Sequence, residues 1–378
     1  MIESDWDGGA AQAAAPPLLD PSNPDHRDLL AGWLRVQAAF VFRPQDACSA
    51  LRAGATPAAL WRLASKRPAP GLSVIEPGDR SWRALEACGA LVLPWTSAAY
   101  PARLRRLDDA PPLLLVQGDP DVLRRRCVAL VGGRAATAAG NRLAQEIART
   151  LAGAGVCVVS GLARGIDARA HAGALACRGP TIAVQARGPE GVYPREHTAL
   201  AAQIRRFGAL LTEFPPFTAP RPAHFPLRNR IISGLSDAVV VVEARVRSGS
   251  LITARHALDQ GVDVMAVPGP VGAAANRGTN ELIRDGAAVV LEPADVLGAL
   301  GLAPGAVARE PAASTRVPGH PLARRVVAVL EERPASREEL AAALACGPET
   351  LALVLFELEE SGRVVPERDG RFHVCRSA

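Results

Sequence analysis

Residues 224–253 read HFPLRNRIISGLSDAVVVVEARVRSGSLIT, and this stretch predicts a helix, a strand, a loop and the start of a second helix. Apolar residues recur at helical spacing in its first part. DAVVVVEA is a short, continuous run rich in β-branched residues, as expected of a strand buried on both faces. The loop RSGS follows where the strand ends, so the stretch has the layout of one unit of an α/β fold.

The loop with Ser248, Gly249 and Ser250 has the features of a phosphate-binding site. Backbone N–H groups at a helix N-terminus are unpaired and carry partial positive charge, which favours anions. In the helix just upstream, Arg228, Asn229 and Arg230 offer bidentate donors to phosphate and an amide to a base edge. A solvated, salt-bridged helix start is the simpler alternative. The combination favours a protein that contacts the phosphate backbone of a nucleic acid.

Strand and helix patterns alternate from Leu91 to residue 293. Such alternation predicts βαβ units and a parallel sheet with helices on both faces. Ligands of these sheets bind at the carboxyl ends of the strands. After two leading strands, LVLPW and PPLLLVQG, the strand patterns cover residues 127–133, 156–161, 181–186, 209–214, 237–244, 263–269 and 287–293. The helical patterns between them include 142–151, 166–176, 197–207 and 280–284.

The two ends of the chain do not follow this alternation. Residues 1–25 are rich in Ala, Pro, Asp and Ser without periodicity and predict disorder. Residues 26–88 carry short apolar clusters at helical spacing and predict a small helical domain, which precedes the α/β core over 89–300. Residues 301–320 have the Pro, Gly and Ala content of a linker.

Residues 321–378 predict three helices and a β-hairpin, as in a winged helix. Ser336 and Glu339 have the spacing of a capping box at the start of the second helix. The third helix usually binds DNA in such modules, but here it is acidic and apolar. Protein docking is therefore at least as good an interpretation of this domain as DNA binding.

Composition sets limits on function without deciding it. The net charge is +5, from 43 basic and 38 acidic residues, which is too small a surplus to prove a nucleic-acid partner. The seven Cys form no CxxC pair and no zinc-type cluster, so no metal or cofactor is expected. We expect the cysteines to be reduced thiols in the cytoplasm. The sequence has no secretory signal at MIESDWDGGA and no run of about 20 apolar residues, so no membrane association is expected.

Two further motifs place polar residues at strand ends. VALVGGRAATAAG (128–140) puts Gly132, Gly133 and Arg134 after a strand, although it does not fit the dinucleotide fingerprint GxGxxG. A plain turn with an exposed Arg is the alternative. VVSGLARGIDARAHAGAL (158–175) ends a strand at Ser160 and Gly161.

The loop after Gly161 carries Arg164, and the next helix carries Asp167 and His171. The Asp/His pair invites a catalytic interpretation, but no Ser or Cys nucleophile is placed with it. The preferred interpretation is that Asp167 caps the start of the helix, accepting a hydrogen bond that orders the loop. Tyr193, in RGPEGVYPREH (187–197), is a candidate for base stacking or for closing a hydrophobic edge.

Taken in order, these motifs resemble the DNA-processing protein A family (DprA, also called Smf). VALVGGR, SGLARGIDARAHAGAL, VYPREH, FPLRNRIISGLS, SGSLITA and RGTNELIRDGA carry the resemblance over about residues 90–295. It implies an extended Rossmann-like parallel sheet core that dimerises, flanked by a SAM-like helical domain and a winged-helix-like domain. It also implies cooperative binding of single-stranded DNA and loading of the RecA recombinase during natural transformation.

The resemblance also implies a set of DNA-binding residues. Arg134 matches the Arg of the family's VGSR motif, and its Ser is replaced here by Gly133. Residues Gln185–Gly188 stand where the family usually has Leu-Gly-x-Gly, and this difference adds the charge of Arg187. Phe217 stands where Gly is usual in a turn. The expected DNA-binding residues are Gly132, Gly133, Arg134, Ser160, Gly161, Arg164, Arg187, Arg228, Asn229, Arg230, Ser248, Gly249 and Ser250.

The resemblance thus implies a non-enzymatic, cytoplasmic protein that protects single-stranded DNA and loads RecA. One rival is an enzyme related to the nucleotide phosphoribohydrolases of the same superfamily, whose Gly-rich loop is followed by a Glu. Here SGSLITARHAL contains no Glu, which removes the obvious general acid or base. The other rival is an adaptor that binds RecA and contacts DNA only indirectly.

Overall fold

A computed structural model describes residues 18–65, 80–302, 321–344, 346–360, 363–366 and 371–374. The chain divides into two compact units, residues 1–308 and 309–378. Most of the predicted linker at 301–320 lies outside the described residues, as does the part of the predicted disordered segment up to residue 17.

A nine-stranded sheet forms the centre of the first unit. Its strand order is β1-β2-β6-β5-β4-β3-β7-β8-β9. Strands β3 to β9 run parallel, whereas β1 and β2 extend one edge in antiparallel register. The predicted α/β class with an extended, mostly parallel Rossmann-like sheet is confirmed. The strands are β1 Leu91–Pro94, β2 Leu113–Gly118, β3 Cys127–Val131, β4 Cys157–Ser160, β5 Thr181–Val184, β6 Ala209–Thr212, β7 Ala238–Val241, β8 Asp263–Ala266 and β9 Ala288–Val289.

The β-branched run in β7 explains why this strand lies at the centre. Val239 and Val241 pack into the hydrophobic core on one face of the sheet, and Val240 and Val242 pack into the core on the other. Side chains alternate across a strand, so a continuous apolar run satisfies both faces. Strand β7 pairs with β3, which pairs on its other side with β4. The strand order reverses between β3 and β7, and such a switch point leaves a crevice at the carboxyl ends of the strands.

Within residues 89–302, all of which are described, eight α-helices connect or flank these strands, and four of them differ from the sequence prediction. Helix α6 begins four residues earlier than predicted because Thr137 caps it, its side chain accepting from the N–H of Gly140. Helix α11 begins at Arg277, and the short helices α5 and α12 are absent from the prediction. The helices are α5 Ala102–Arg105, α6 Ala138–Gly153, α7 Ile166–Ala176, α8 Thr198–Phe207, α9 His224–Gly234, α10 Gly249–Asp259, α11 Arg277–Arg284 and α12 Pro293–Ala299.

The N-terminal helices of the first unit pack on the antiparallel edge of the sheet. Trp33 and Trp82 share one hydrophobic core with Leu113 and Leu115 of β2. Part of the segment predicted to be disordered joins this core, because Leu19 is fully buried and forms a β-bridge with Val92. The assignment of these helices to a SAM-like domain stays a prediction. They are α1 Arg27–Phe40, α2 Pro44–Arg52, α3 Pro57–Ser65 and α4 Arg80–Ala87.

In the second unit, three helices pack around their own hydrophobic core beside a small antiparallel sheet of order β10-β12-β11. The predicted capping box is confirmed: the N–H of Glu339 donates to Ser336 Oγ, and the N–H of Ser336 donates to Glu339 Oε2. The winged-helix-like assignment stays a prediction. The elements are α13 Pro321–Glu332, β10 Ala335–Ser336, α14 Arg337–Leu344, α15 Pro348–Glu360, β11 Val364–Pro366 and β12 Arg371–Val374.

Candidate functional site

A cavity of about 760 Å³ lies at the switch point between β3 and β7. The turn that follows β3, Gly132–Ala135, forms one wall, and the loop after β7, Arg245–Ser250, forms another. The start of α9 and the segment Pro220–Pro222 close the remaining sides. The cavity is therefore located where ligands of doubly wound sheets bind.

Four exposed arginines line this cavity: Arg134, Arg221, Arg245 and Arg247. Within the described residues, none of the four forms an ion pair, so their charges are available to a ligand. Arg247 has φ of 63°, a left-handed conformation that is uncommon for a residue with a Cβ and is often found at functional sites. The cavity therefore presents uncompensated positive charge.

Two carboxylates also line the cavity, and both are engaged by the fold. Glu243 accepts hydrogen bonds from the N–H of Thr137 at 2.9 Å and from the Thr137 hydroxyl, which ties the end of β7 to the start of α6. Asp167 accepts from the N–H groups of Gly161 and Ala163 at 3.2 and 3.3 Å. Burial nevertheless raises the pKa of Asp167. Asp167 therefore orders the loop as predicted, but it does not cap α7, whose N-cap residue Gly165 makes no side-chain capping hydrogen bond.

An aromatic surface adjoins the arginines. The ring centroids of Phe225 and Tyr193 are 5.8 Å apart, and Tyr193 is 44% exposed. The guanidinium carbon of Arg134 lies 4.9 Å from the centre of the Phe225 ring. A ring beside a cation is an arrangement that can stack a base and hold the adjacent phosphate.

Arg228 is a structural residue at the base of the cavity and not an exposed phosphate contact. It is 4% exposed, and its Nη1 donates to the carbonyl oxygens of Gly161, at 2.7 Å, and of Val184. Burial lowers the pKa of its guanidinium to about 10, opposed by Asp167, so the group stays protonated at neutral pH. Arg228 therefore ties α9 to the ends of β4 and β5 and adds charge from beneath.

Gly161 makes this arrangement possible. A Cβ at this position would lie 2.5–2.6 Å from the guanidinium atoms of Arg228, so only glycine leaves room for the buried side chain. Ser160, which precedes it, is fully buried and donates to the carbonyl oxygen of Leu130 at 2.6 Å. Neither residue lines the cavity, and both act by holding the loop.

Arg230 faces away from the cavity, contrary to the expectation from the RNR motif. It is 2% exposed, its Nη2 donates to Glu213 at 2.6 Å, and its Nε lies 3.4 Å from Asp109. Burial raises the pKa of Glu213, while the Arg230 charge lowers it. A buried guanidinium neutralised by the buried Glu213 and the half-buried Asp109 cannot also serve a phosphate, so Arg230 is removed from the candidate site.

Asn229 and the serine loop lie together at the cavity wall. The Asn229 amide accepts from Arg228 Nε at 3.1 Å and donates to the carbonyl oxygen of Gly249 at 3.2 Å. Ser248 caps α10 by accepting from the N–H of Ser250. Asn229 therefore positions the loop, and its amide is occupied by the protein.

Arg164 and Arg187 line neighbouring cavities and have carboxylate partners. Arg164 is exposed and binds Glu196 through two hydrogen bonds, of 2.5 and 2.7 Å, which raises the pKa of Arg164 and lowers that of Glu196. It lines a cavity of about 420 Å³ that also contacts Arg134. Arg187 pairs with Glu190 at 3.0 Å. Phe217, in place of the usual Gly, keeps a left-handed φ of 61°.

The Asp167/His171 pair does not form a catalytic dyad. The His171 ring is fully buried and its Nδ1 lies 2.8 Å from the hydroxyl of Thr181. Burial lowers the pKa of His171 to about 3, so the ring is neutral. The described part of the chain contains no group of three His, Cys, Asp or Glu able to hold a metal ion, and no helix in it is long and apolar enough to cross a membrane.

Three of the cavity's cations were missed by sequence reasoning. Arg245 and Arg247 lie between the strand end and the serine loop, in a stretch already singled out, and their proximity to that loop was the available signal. Arg221 precedes α9 and Phe225 lies in its first turn, and neither gave a comparable signal. Of the predicted residues, the structure brings together Gly132, Gly133, Arg134, Arg228, Asn229, Ser248, Gly249 and Ser250.

Comparison with known proteins identifies the family of the α/β core. Residues 91–301 match the family model described as DNA recombination-mediator protein A. Protein Smf of Escherichia coli is 46% identical over 207 residues, which is 54% of this chain and 55% of that protein. The chain therefore matches only about half the length of this relative.

Two solved structures have a similar fold. DNA processing protein A of Streptococcus pneumoniae aligns with a TM-score of 0.55 and 35% identity, over 64% of this chain and 82% of that one. DNA processing protein A of Helicobacter pylori, described with its single-stranded DNA binding mode, aligns with a TM-score of 0.50 and 30% identity, over 53% of this chain and 92% of that one.

Proposed function

Because the chain belongs to the DNA recombination-mediator protein A family, we propose that it binds single-stranded DNA in the cavity between β3 and β7 during DNA processing and recombination. The observation that carries the proposal is the ring of four exposed arginines, Arg134, Arg221, Arg245 and Arg247, around a strand-end crevice. A flexible polyanion fits this distribution of charge.

The aromatic pair favours single-stranded over double-stranded DNA. Phe225 and Tyr193 can stack on a base only if that base is unpaired. The amide of Asn229, the polar group best suited to a base edge, is occupied by Arg228 and Gly249. Weak sequence preference is therefore expected, with affinity that falls as salt rises.

A salt titration tests the proposal. Binding of a fluorescent single-stranded oligonucleotide is measured against salt for the wild type, Arg134→Ala/Arg247→Ala and the control Arg149→Ala. Arg149 is exposed on α6 and lines none of the cavities above. Each phosphate that is no longer neutralised by an arginine reduces the log–log salt slope by about 0.7, so the double variant should show a decrease of roughly 1.4. An unchanged slope in the double variant would remove this cavity from the DNA path.

The proposal does not require catalysis. Helix α10, GSLITARHALD, contains no Glu, and the two carboxylates of the cavity hold Thr137 and the loop at Gly161. A phosphoribohydrolase would need one of them free as a general acid or base. Release of a base from nucleoside monophosphates by the purified protein would favour that rival over the binding function.

The family relationship extends the proposal to RecA. We propose that the protein protects incoming single-stranded DNA in the cytoplasm and loads RecA onto it during natural transformation. The test is a RecA pull-down with and without an oligonucleotide. Capture of RecA by a chain that binds no oligonucleotide would favour the adaptor alternative.

We also propose that the core dimerises through the β9 edge. Strand β9 is the last strand of the sheet, and Val289 and the adjoining Leu291 are 41% and 76% exposed. An apolar sheet edge is prone to pair with a second copy. Sedimentation should give a dimer for the wild type and a monomer for Leu291→Glu, with Leu258→Glu, a 62% exposed leucine on α10, as the control. A monomeric wild type would refute the interface.

A further inference from the structure

A second cavity, of about 640 Å³, lies elsewhere in the first unit. It shares no lining residue with the arginine-lined cavity, and its volume is within the range of about 300–1,000 Å³ found for small-molecule sites. It lies between the end of α4, the last residues of β2, the 187–195 loop and α8. Its polar lining includes Cys88, Gln117, Glu190, Arg195, Thr198 and Arg205.

Gln117 gives this cavity a buried acceptor that the protein does not satisfy. The side chain is 4% exposed, and its Nε2 donates to the carbonyl oxygen of Cys88 at 2.8 Å. That bond fixes the amide orientation, yet Oε1 accepts no hydrogen bond from any described residue. An unpaired buried amide oxygen is unfavourable, so a donor supplied by a ligand would be stabilising.

The cavity also holds two uncommitted cations. Neither the Arg195 nor the Arg205 side chain forms a hydrogen bond or ion pair with any residue in the described ranges. The one carboxylate of the lining, Glu190, is already used: it accepts from Arg187 at 3.0 Å and from the N–H of Phe217 at 3.1 Å. The free charge in the cavity is therefore positive.

Gln117 and Arg195 lie at different ends of α8, and Arg205 lies at the same end as Gln117. Gln117 is at the C-terminal end, because its neighbour Gly118 packs so closely on Arg205 that a Cβ there would lie 2.8 Å from the Arg205 carbonyl oxygen. Arg195 precedes Thr198 at the N-terminal end, where unpaired N–H groups add partial positive charge. Seven residues separate Thr198 from Arg205, which is about 10 Å along the helix.

We propose that this cavity is a second, independent nucleotide site, with a base donating to Gln117 and a phosphate held by Arg195. A simple anion would leave the Gln117 oxygen unpaired, and a cationic amine would be repelled by the two arginines. A nucleotide combines an N–H-bearing heterocycle with a phosphate, and the Arg205 guanidinium can stack on its ring. The ligand is either a free nucleoside phosphate or one unit of a DNA strand.

Calorimetric titration of the full chain tests the site. Deoxyadenosine monophosphate, deoxyadenosine and inorganic phosphate are compared on the wild type, Arg195→Ala, Gln117→Leu and Arg134→Ala. The control is Arg206→Ala, an exposed neighbour on α8 that does not line the cavity. The nucleotide should bind at least tenfold tighter than phosphate or deoxyadenosine. Arg195→Ala should weaken it at least tenfold, and Arg134→Ala and Arg206→Ala should leave it unchanged.

Gln117→Leu isolates the base contact. It should reduce the preference for the nucleotide over phosphate, and Arg195→Ala supplies an independent test if the leucine variant does not fold. Equal affinity for phosphate and nucleotide in the wild type would overturn the proposal. So would binding that Arg134→Ala abolishes and Arg195→Ala does not, because the nucleotide would then occupy the first cavity.

A competition experiment distinguishes the two sources of the ligand. An oligodeoxythymidine is added to the Arg134→Ala chain already loaded with the nucleotide. Displacement identifies a DNA strand as the natural occupant, whereas undiminished nucleotide binding identifies a free nucleoside phosphate.

Discussion

Two arginines of one motif, Arg228 and Arg230, have opposite environments although a single residue separates them. Successive residues of an α-helix are rotated by about 100°, so positions i and i+2 point in nearly opposite directions. Arg228 lies beneath the cavity, and Arg230 is paired with Glu213 on the other side of α9. The motif predicted cations near strand ends. Only the helix geometry shows that α9 cannot present Arg228 and Arg230 to the same ligand.

The buried pair gives a stability prediction at the residue scale. Arg230→Ala leaves the Glu213 carboxylate, which is 2% exposed, without its partner, and removal of one member of a buried pair costs about 3–5 kcal/mol. Urea denaturation should show this loss, whereas Arg245→Ala at the exposed rim should stay within about 0.5 kcal/mol of wild type.

A double variant checks the cause of that loss. Arg230→Met/Glu213→Leu replaces both charges with apolar groups and should regain most of the lost stability. Equal stability of Arg230→Ala and Arg245→Ala would contradict the assignment of Arg230 to the core.

At the scale of elements, strands were the most predictable feature. The valine run of β7 is apolar on both faces and so identifies a central strand. The order of strands was not available from these runs, because it depends on pairings between segments far apart in the chain. The cavity's outline depends on loops, and the left-handed φ of Arg247 is not signalled by its residue type.

The loop after β4 supplies the prediction at this scale. Gly165 has φ of 73°, and a Cβ there would overlap the Gly133 carbonyl oxygen and lie 2.8 Å from that of Arg134. Gly165→Ala should therefore displace the Arg134 turn, destabilise the fold by about 1–3 kcal/mol and weaken oligonucleotide binding.

Gly153→Ala is the matched control for that substitution. Gly153 ends α6, and apart from its chain neighbours and the backbone of its own helix, no atom of the described residues lies within 4 Å of a Cβ built there. This variant should keep wild-type affinity and be stabilised by up to about 1 kcal/mol. If Gly165→Ala behaved in the same way, the turn would not depend on close backbone approach.

At the scale of the whole molecule, the sequence divided the chain more finely than the hydrophobic cores do. The helices before residue 88 share a core with Val92, Leu113 and Leu115, so they are continuous with the sheet. Periodicity identified the helices correctly, but it could not reveal which surface they cover. The second unit has its own core, consistent with the capping box and hairpin read from its sequence.

Truncation should distinguish the N-terminal helices, which share a core with the sheet, from the second unit, which has its own core. A chain ending at residue 302 loses only the second unit, whose core contains no residue of the first, and should keep the melting temperature of the first unit. A chain beginning at residue 89 exposes the apolar face of β1 and β2 and should melt at lower temperature or aggregate. Equal melting temperatures for the two truncations would mean that the helices contribute nothing to the sheet.

The position of the arginine-lined cavity has a mechanical consequence. Its walls come from segments on either side of the seam where β3 and β7 meet, and that seam joins the two oppositely wound halves of the sheet. A ligand that binds both walls therefore restricts the movement of one half of the sheet relative to the other. Amide exchange in β3 and β7 should therefore slow when the crevice is filled, so rigidity of the scaffold would report occupancy without any label on the ligand.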